Sequence, residues 1–158
     1  MLSIFGTEQQ EREELEYMKS TITWTGELAF SGTTPSGHEI KMDAAEEAGG
    51  KNSGARPTEL LLHSLAGCTG IDIVMILKKM RFETKAFQIE IEGVRSENHP
   101  KRFTDFHIHY LLEGDLSEDK VVREIQLSKN TYCSVYHSLN ANIKISYSIN
   151  GVKGKQDI

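Results

Sequence analysis

A long apolar segment that begins after Pro57 and continues to about Arg81 does most to restrict the folds open to this chain. Glu59 lies where a helix dipole favours an acidic side chain, and no residue between Glu59 and Asp72 carries a full charge. A helix that is apolar all round is buried on every side, and one small sheet covers only one side. We therefore expect a second copy of the chain to cover the other side. The residues that surround the axis are Leu60, Leu61, Leu62, Leu65, Ala66, Cys68, Ile71, Ile73, Val74, Ile76 and Leu77.

Segments on both sides of this helix alternate apolar and polar residues, as half-buried strands do. The first of them is predicted as one strand or as two strands kinked at Gly26, and the last closes the fold. Two helices are predicted between the later strands. The order is strands, long helix, strands, helices, strand, which predicts an α+β fold. The ranges predicted as strands are 21–30, 38–42, 87–91, 106–112 and 141–152.

The predicted loops and caps carry more specific expectations. The Gly-rich, charged segment 44–56 shows no periodicity and is predicted to be a mobile lid over a site. Ser117 is predicted to cap one late helix, with Leu116 stapled onto Val121. Residues 130–131 are predicted to cap the next helix, which would carry Cys133 in its first turn.

Length and charge indicate one compact domain in a reducing compartment. Residues 18–158 are assigned to one domain, and residues 1–17, rich in Glu and Gln, to an extension that is frayed or helical. The net charge of −5 argues against a nucleic-acid partner. The N-terminus does not have the pattern of a signal peptide, and no apolar stretch is predicted to approach the roughly 20 residues that span a membrane. We expect a cytoplasmic protein with no membrane partner.

Two cysteines, Cys68 and Cys133, are the strongest candidates for chemistry. They lie 65 positions apart, which excludes a CxxC hairpin or a zinc knuckle. Lone thiols in a chain without a secretory signal are more often chemical than structural, although a buried cysteine can also act as a small packing residue. At a helix start, amide groups and the helix dipole would stabilise a Cys133 thiolate.

Histidines on one predicted strand suggest a different kind of site. His107 and His109 share a face, and Glu90 and Glu92 could lie opposite them, as metal ligands would. A solvated sheet face with favourable cross-strand pairs is the more common arrangement. The prediction is therefore that the chain uses neither a metal nor a cofactor.

Three motifs stand out along the chain: RPTEL at residues 56–60, AGC at 66–68 and YCS at 132–134. Together they resemble the pattern of the OsmC/Ohr family of thiol peroxidases. The resemblance implies the OsmC-like fold, an intertwined homodimer with a two-layer sheet and central helices. It also implies that Cys68 attacks an organic hydroperoxide, that Cys133 resolves the product to a disulfide, and that a dithiol reductant resets the pair.

The chain departs from the pattern of that family in two places. Thr58 follows the proline where characterised members have a glutamate, and Glu59 comes one residue later. Residues 20–42 contain no arginine, so Arg56 is the predicted bidentate partner of Glu59. The predicted catalytic residues are Cys68, Cys133 and Glu59, supported by Arg56 and Ser64.

Two functions follow from this resemblance. The first is a thiol-dependent peroxidase for organic hydroperoxides that acts in oxidative stress defence. The alternative is a non-catalytic OsmC-like binding protein that holds a hydrophobic or thiol-bearing ligand in the dimer cleft.

Overall fold

The structure, a computed structural model, describes residues 17–158. The predicted extension at residues 1–17 therefore lies outside the described residues, apart from Tyr17. The chain divides at Pro57 into two compact units, an N-terminal unit that ends at Pro57 and a C-terminal unit that comprises Thr58–Ile158.

A three-stranded antiparallel sheet forms the described part of the N-terminal unit, with the strands in the order β1-β2-β3. The predicted break at Gly26 is present, since Gly26 and Glu27 both have positive φ and the chain turns there into the second strand. Trp24 lies opposite Phe30 on one face, and 63% of Trp24 is exposed. The apolar face that the sequence predicts as half-buried is thus exposed at Trp24. The strands are β1 (Thr21–Gly26), β2 (Ala29–Thr33) and β3 (Glu39–Met42).

A buried carboxylate organises the loop that follows β3. Asp43 accepts hydrogen bonds from the amides of Ala44, Lys51 and Ser53, at 2.7, 3.0 and 3.0 Å, and from the Ser53 hydroxyl at 2.7 Å. These bonds, led by those of Ser53, lower the pKa of Asp43 to about 2. The Asp43 side chain therefore ties three backbone amides of the loop together, and the mobile lid predicted for residues 44–56 stays a prediction.

The C-terminal unit pairs one long helix with a mixed four-stranded sheet of order β4-β5-β6-β7. Strands β4 and β5 are antiparallel neighbours, with Ile89 opposite Tyr110, as the alternation predicts. Strand β6 runs parallel to β5, so the chain must cross over between them, and it does so through the later helices. The elements are α1 (Pro57–Lys79), β4 (Glu83–Arg95), β5 (Phe103–Asp115), α2 (Glu118–Leu127), a π-helical turn (Ser128–Tyr132), α3 (Ser134–Ser138), β6 (Asn142–Ile149) and β7 (Val152–Gln156).

Helix α1 packs on the sheet along one side only. Gly70 makes this approach close, because a Cβ at this position would come within 2.6 Å of the Ile89 side chain. The opposite side of the helix is also apolar, and 66% of Ile71 is exposed. Within the C-terminal unit, therefore, only one side of the helix that the sequence predicts to be buried all round is covered. Its buried residues are Leu65, Thr69, Gly70, Ile73 and Leu77.

One prediction about this helix was wrong. By length and composition, α1 could cross a membrane, whereas no segment was predicted to approach that length. Among the described residues it is the one helix with this property. One side of α1 packs on the sheet, as a core helix of a globular protein does.

The C-terminal strand prediction was also wrong in part, because residues 141–152 do not form one strand. Asn150 and Gly151 both have positive φ, as a two-residue type I′ hairpin turn requires, and β7 follows as an edge strand. The Asn-Gly pair was a signal for this hairpin. At α2, Ser117 occupies the predicted N-cap position, but its side chain makes no capping hydrogen bond.

Gly154 in β7 should be intolerant of a side chain. An added Cβ would clash with the ring of Tyr147, which is buried and whose hydroxyl donates to Oε1 of Glu118. We expect Gly154→Ala to lower the free energy of unfolding by about 1–3 kcal/mol in urea denaturation, because the ring must move. Lys153→Ala, an exposed change in the same strand, is the matched control. Equal stability of the two variants would contradict this packing.

Candidate functional site

The two cysteines and one aspartate converge in the C-terminal unit. Cys68 and Asp72 are four residues apart on α1, so both side chains lie on the same face of the helix. Cys133 comes from the turn before α3. Both Sγ atoms and a carboxylate oxygen of Asp72 all lie within 4.8 Å of one another, and both thiols are free. We call this group the Cys–Asp–Cys cluster.

Cys133 occupies a different local structure from the one predicted. The preceding residues form a π-helical turn, in which the amide of Cys133 donates to the carbonyl of Ser128 at 2.9 Å. Cys133 itself is the N-cap of α3, and its Sγ accepts a hydrogen bond from the amide of Tyr136 at 3.3 Å. The predicted cap at residues 130–131 was therefore wrong, because the helix begins later. π-helical turns are rare and occur often at functional sites.

Burial controls the protonation of Cys133. The side chain is 0% exposed, and burial raises its pKa to about 12, helped by the hydrogen bond with Cys68 and by the charges of Cys68 and Asp72. The amide of Tyr136 lowers the pKa but does not offset burial. Helix α3 has five residues, which gives it only a small dipole. The prediction that this position stabilises a thiolate was wrong, and Cys133 is a protonated thiol in this state.

The raised pKa of Cys133 should appear as a pH dependence of stability. The folded thiol holds its proton more tightly than the unfolded thiol, so its contribution is complete below the unfolded pKa, near 9, and is lost as pH rises towards about 12. We expect the free energy of unfolding of the reduced protein to fall more steeply between about pH 8 and about pH 10.5 than that of Cys133→Ser. Urea denaturation over this range measures both slopes. Parallel slopes would show that burial does not retain this proton.

Asp72 is fixed by a neighbour that sequence analysis did not single out. The hydroxyl of Ser128, which is buried, donates to Oδ2 of Asp72 at 2.9 Å. Burial raises the pKa of Tyr110 in β5, and the charges of the nearby Cys133 and Asp72 raise this pKa further. Asp72 had a detectable signal, because it is the one Asp, Glu, Lys or Arg between Glu59 and Lys78 and follows Cys68 by four residues.

The supporting residues predicted from the sequence lie in three different settings. Ser64 is exposed, and its hydroxyl donates to the carbonyl of Leu60 at 2.6 Å, a bond within the helix and not to a thiol. Glu59 is in the first turn of α1. Arg56, in the N-terminal unit, donates to Oδ1 of Asn52 at 2.6 Å and to the carbonyl of Gly54 at 3.2 Å. The pairing of Arg56 with Glu59 stays a prediction.

His107 and His109 of β5 make the cross-strand pairs with β4 that were expected. His109 lies opposite Glu90, and His107 opposite Glu92. The imidazole rings are hydrogen-bonded to serines of β6: both rings to Ser146 Oγ, at 2.7 and 2.9 Å, and His109 also to the hydroxyl of Ser148 at 2.9 Å. Within residues 17–158, the Cys–Asp–Cys cluster is the one group of at least three His, Cys, Asp or Glu side chains close enough together to share a metal ion.

Comparison with known proteins assigns this chain to a family. The family model described as "OsmC-like protein" matches residues 50–148, a range that contains both cysteines and Asp72. The chain belongs to the OsmC-like family. It is similar to the protein YhfA of Escherichia coli, with 34% identity over 135 residues that cover 83% of this chain and 96% of YhfA. The family that the sequence motifs suggested is thereby confirmed.

Solved structures show the same fold. A hypothetical protein from Aquifex aeolicus aligns with a TM-score of 0.76 and 33% identity, covering 86% of this chain and 98% of that one. An organic hydroperoxide resistance protein from Elizabethkingia anophelis aligns with a TM-score of 0.65 and 17% identity, covering 86% and 98%. The α+β class with two sheets and a central helix, predicted from the sequence, is confirmed.

Proposed function

We propose that this protein is a thiol-dependent peroxidase that reduces organic hydroperoxides through Cys68 and Cys133. One observation carries the proposal: the two sulfurs lie within 4.8 Å, one partly exposed on α1 and the other fully buried. The exposed thiol is accessible to an oxidant, and the buried thiol is protected from it but adjacent to the product. An OsmC-like relative of known structure is named for organic hydroperoxide resistance, which supports the same chemistry.

The reaction balances with these two thiols alone. The Cys68 thiolate attacks the O–O bond of ROOH, forms a sulfenic acid and releases RO⁻, which takes a proton to become ROH. Cys133 sulfur, after losing its proton, attacks the sulfenic sulfur, and water leaves as the disulfide forms. One hydroperoxide is reduced and two thiols are oxidised. A dithiol reductant, itself oxidised to a disulfide, then restores both thiols.

The disulfide requires only local movement around Cys133. A disulfide bond is about 2.05 Å long, so sulfurs up to 4.8 Å apart must approach each other. Sγ of Cys133 accepts the N-cap hydrogen bond from the Tyr136 amide at 3.3 Å, and the turn before it is an irregular π-helical turn. A side-chain rotation of Cys133 together with adjustment of this turn would bring the sulfurs into bonding range.

Homodimerisation and a cytoplasmic location belong to the same proposal. The C-terminal unit exposes an apolar stripe on α1 that includes Ile71, Val74 and Met75, and the N-terminal unit exposes Trp24 and Phe30 on one face of its sheet. Contiguous exposed apolar surface of this kind is typical of an interface between subunits. Two free thiols beside each other suit a reducing compartment.

Thiol counting tests the peroxidase directly. Reduced protein, freed of metal with a chelator, is treated with one equivalent of cumene hydroperoxide, and free thiols are titrated after denaturation. We expect loss of two thiols per chain and formation of an intrachain disulfide, because the sulfurs are adjacent. Hydrogen peroxide at the same concentration is the comparison oxidant. Retention of both thiols would overturn the peroxidase proposal.

A non-catalytic binding protein is the second candidate, and the electrostatics of the site favour it. Nucleophilic attack needs a thiolate, whereas the carboxylate of Asp72 is within 4.8 Å of both sulfurs and disfavours further negative charge. Burial and these neighbours already raise the pKa of Cys133. On this alternative, the cleft would hold a hydrophobic or thiol-bearing ligand, and the thiol count above would not change on addition of hydroperoxide.

A further inference from the structure

We propose that Cys68, Asp72 and Cys133 form a Zn²⁺ site with three protein ligands and one open coordination position. The sequence spacing excluded a zinc knuckle, since the two cysteines are 65 positions apart. The fold brings them together with a carboxylate that no sequence motif included. The site is therefore a property of the tertiary structure.

The separations between ligand atoms suit a tetrahedral ion. With Zn–S bonds of about 2.3 Å, two thiolates on one zinc are about 3.8 Å apart, and a carboxylate oxygen at about 2.0–2.2 Å lies slightly closer to each sulfur. In the structure these three atoms are all within 4.8 Å of one another. Contraction by at most about 1.3 Å, within reach of small side-chain rotations, would complete three corners of the tetrahedron.

The chemistry of the three ligands also suits zinc. Two thiolates and one carboxylate provide the S and O donors that Zn²⁺ accepts, whereas Mg²⁺ and Ca²⁺ prefer all-oxygen sites. Zinc binding would displace the thiol protons, and the divalent cation would balance the charges of the two thiolates and the Asp72 carboxylate, which otherwise repel one another. A site with three protein ligands leaves the fourth position for water or a small molecule.

Neighbouring groups already orient two of the three ligands. The buried hydroxyl of Ser128 donates to Oδ2 of Asp72, which orients the carboxylate and leaves it further lone pairs for a metal. The amide of Tyr136 donates to Sγ of Cys133, an interaction that persists with a metal-bound thiolate. Hydrogen bonds of this kind fix metal ligands in productive orientations and commonly account for ten- to hundredfold of the affinity. The i, i+4 spacing on α1 fixes the third ligand, Cys68, relative to Asp72.

Metal binding would exclude the proposed disulfide cycle while it lasts. Both states use the same two sulfur atoms, so an oxidised pair leaves Asp72 as the remaining ligand and releases the ion. This consequence rests on the proposed function, but the metal site itself does not. The two can therefore fail independently: thiol counting is done on metal-free protein with hydroperoxide, and metal binding on reduced protein without it.

Cobalt provides the direct test. Reduced full-length protein, made metal-free with a chelator and kept anaerobic, is titrated with Co²⁺. We expect one equivalent per chain to produce thiolate-to-cobalt charge-transfer absorption and the intense visible bands of a tetrahedral ion, and one equivalent of Zn²⁺ to abolish both. Absence of charge-transfer absorption in the wild-type protein would overturn the proposal, whatever the variants do.

Three variants locate the site, each checked for folding by circular dichroism. Asp72→Asn keeps both thiols but removes a ligand, so it should weaken Co²⁺ binding by more than about a hundredfold. Ser128→Ala removes only the hydrogen bond to Asp72, so it should weaken Co²⁺ binding by about ten- to hundredfold. Asp119→Asn, an exposed change in α2, is the matched control and should bind as the wild type does. Equal affinity of Asp72→Asn and Asp119→Asn would overturn the assignment of Asp72.

Discussion

Cys68→Ser should abolish consumption of organic hydroperoxide, whereas Cys133→Ser should still consume one equivalent. The difference follows from accessibility, because Cys68 is partly exposed on α1 and Cys133 is fully buried behind it. Without Cys68 the remaining thiol is still buried, and burial, the largest cause of its raised pKa, keeps it protonated at neutral pH. Without Cys133 the first step proceeds, but no second thiol is available to condense with the sulfenic acid.

Mass spectrometry with a sulfenic-acid trapping reagent distinguishes these outcomes. We expect Cys133→Ser to give a trapped adduct on Cys68 after one equivalent of hydroperoxide, and irreversible sulfinic acid as the oxidant is increased. Cys68→Ser should give no adduct, and the loss of hydroperoxide should fall to the rate without protein. A chelator is present throughout, so that bound metal does not protect the thiols. If Cys68→Ser consumed hydroperoxide at the wild-type rate, the assigned roles would be wrong.

The cysteines show what the sequence could and could not predict about the site. Their importance was predictable from their isolation in the chain and from the motifs that contain them. Their proximity was implied by the resemblance to the family and not by their spacing, because it depends on the crossover between β5 and β6, which places the turn before α3 beside α1. The protonation of Cys133 was predicted in the wrong direction, since a helix start implies stabilised negative charge, whereas burial dominates.

The same limit applies to Asp72 but not to the hairpin at Asn150. Asp72 is a single charge in an apolar helix, and such a residue is equally consistent with a solvent-exposed position and a site. Only the packing of Ser128 and Cys133 against it distinguishes the two. The Asn-Gly turn, by contrast, was a local signal and could have predicted β7 without any tertiary information. Local patterns predict elements; the contacts between elements define the site.

The exposed side of α1 gives the second prediction with a large effect, which concerns assembly. Ile71 is 66% exposed, although it is large, apolar and in the middle of the helix. Gly67 and Met75 lie one turn on either side and are also exposed, so they continue the same stripe. Fully burying one side chain of this size is favourable by about 1.5–3 kcal/mol, and in a symmetric dimer each residue counts twice. We therefore expect Ile71→Glu to cost roughly 3–6 kcal/mol of dimer stability, at least a hundredfold in the dissociation constant.

Multi-angle light scattering at low micromolar concentration measures this effect. The wild-type protein should have twice the 17.8 kDa mass of the chain. The Ile71→Glu variant should either shift towards the mass of one chain or lose its folded state, because the apolar stripe is then exposed. Gln126→Glu adds the same charge at an exposed position of α2 and should remain dimeric, which separates loss of the apolar contact from a general effect of charge. A wild-type protein that is folded at 17.8 kDa would contradict the dimer. The apolar side of α1 would then be exposed in the folded protein, and the requirement for a second copy that follows from the sequence of this helix would be wrong.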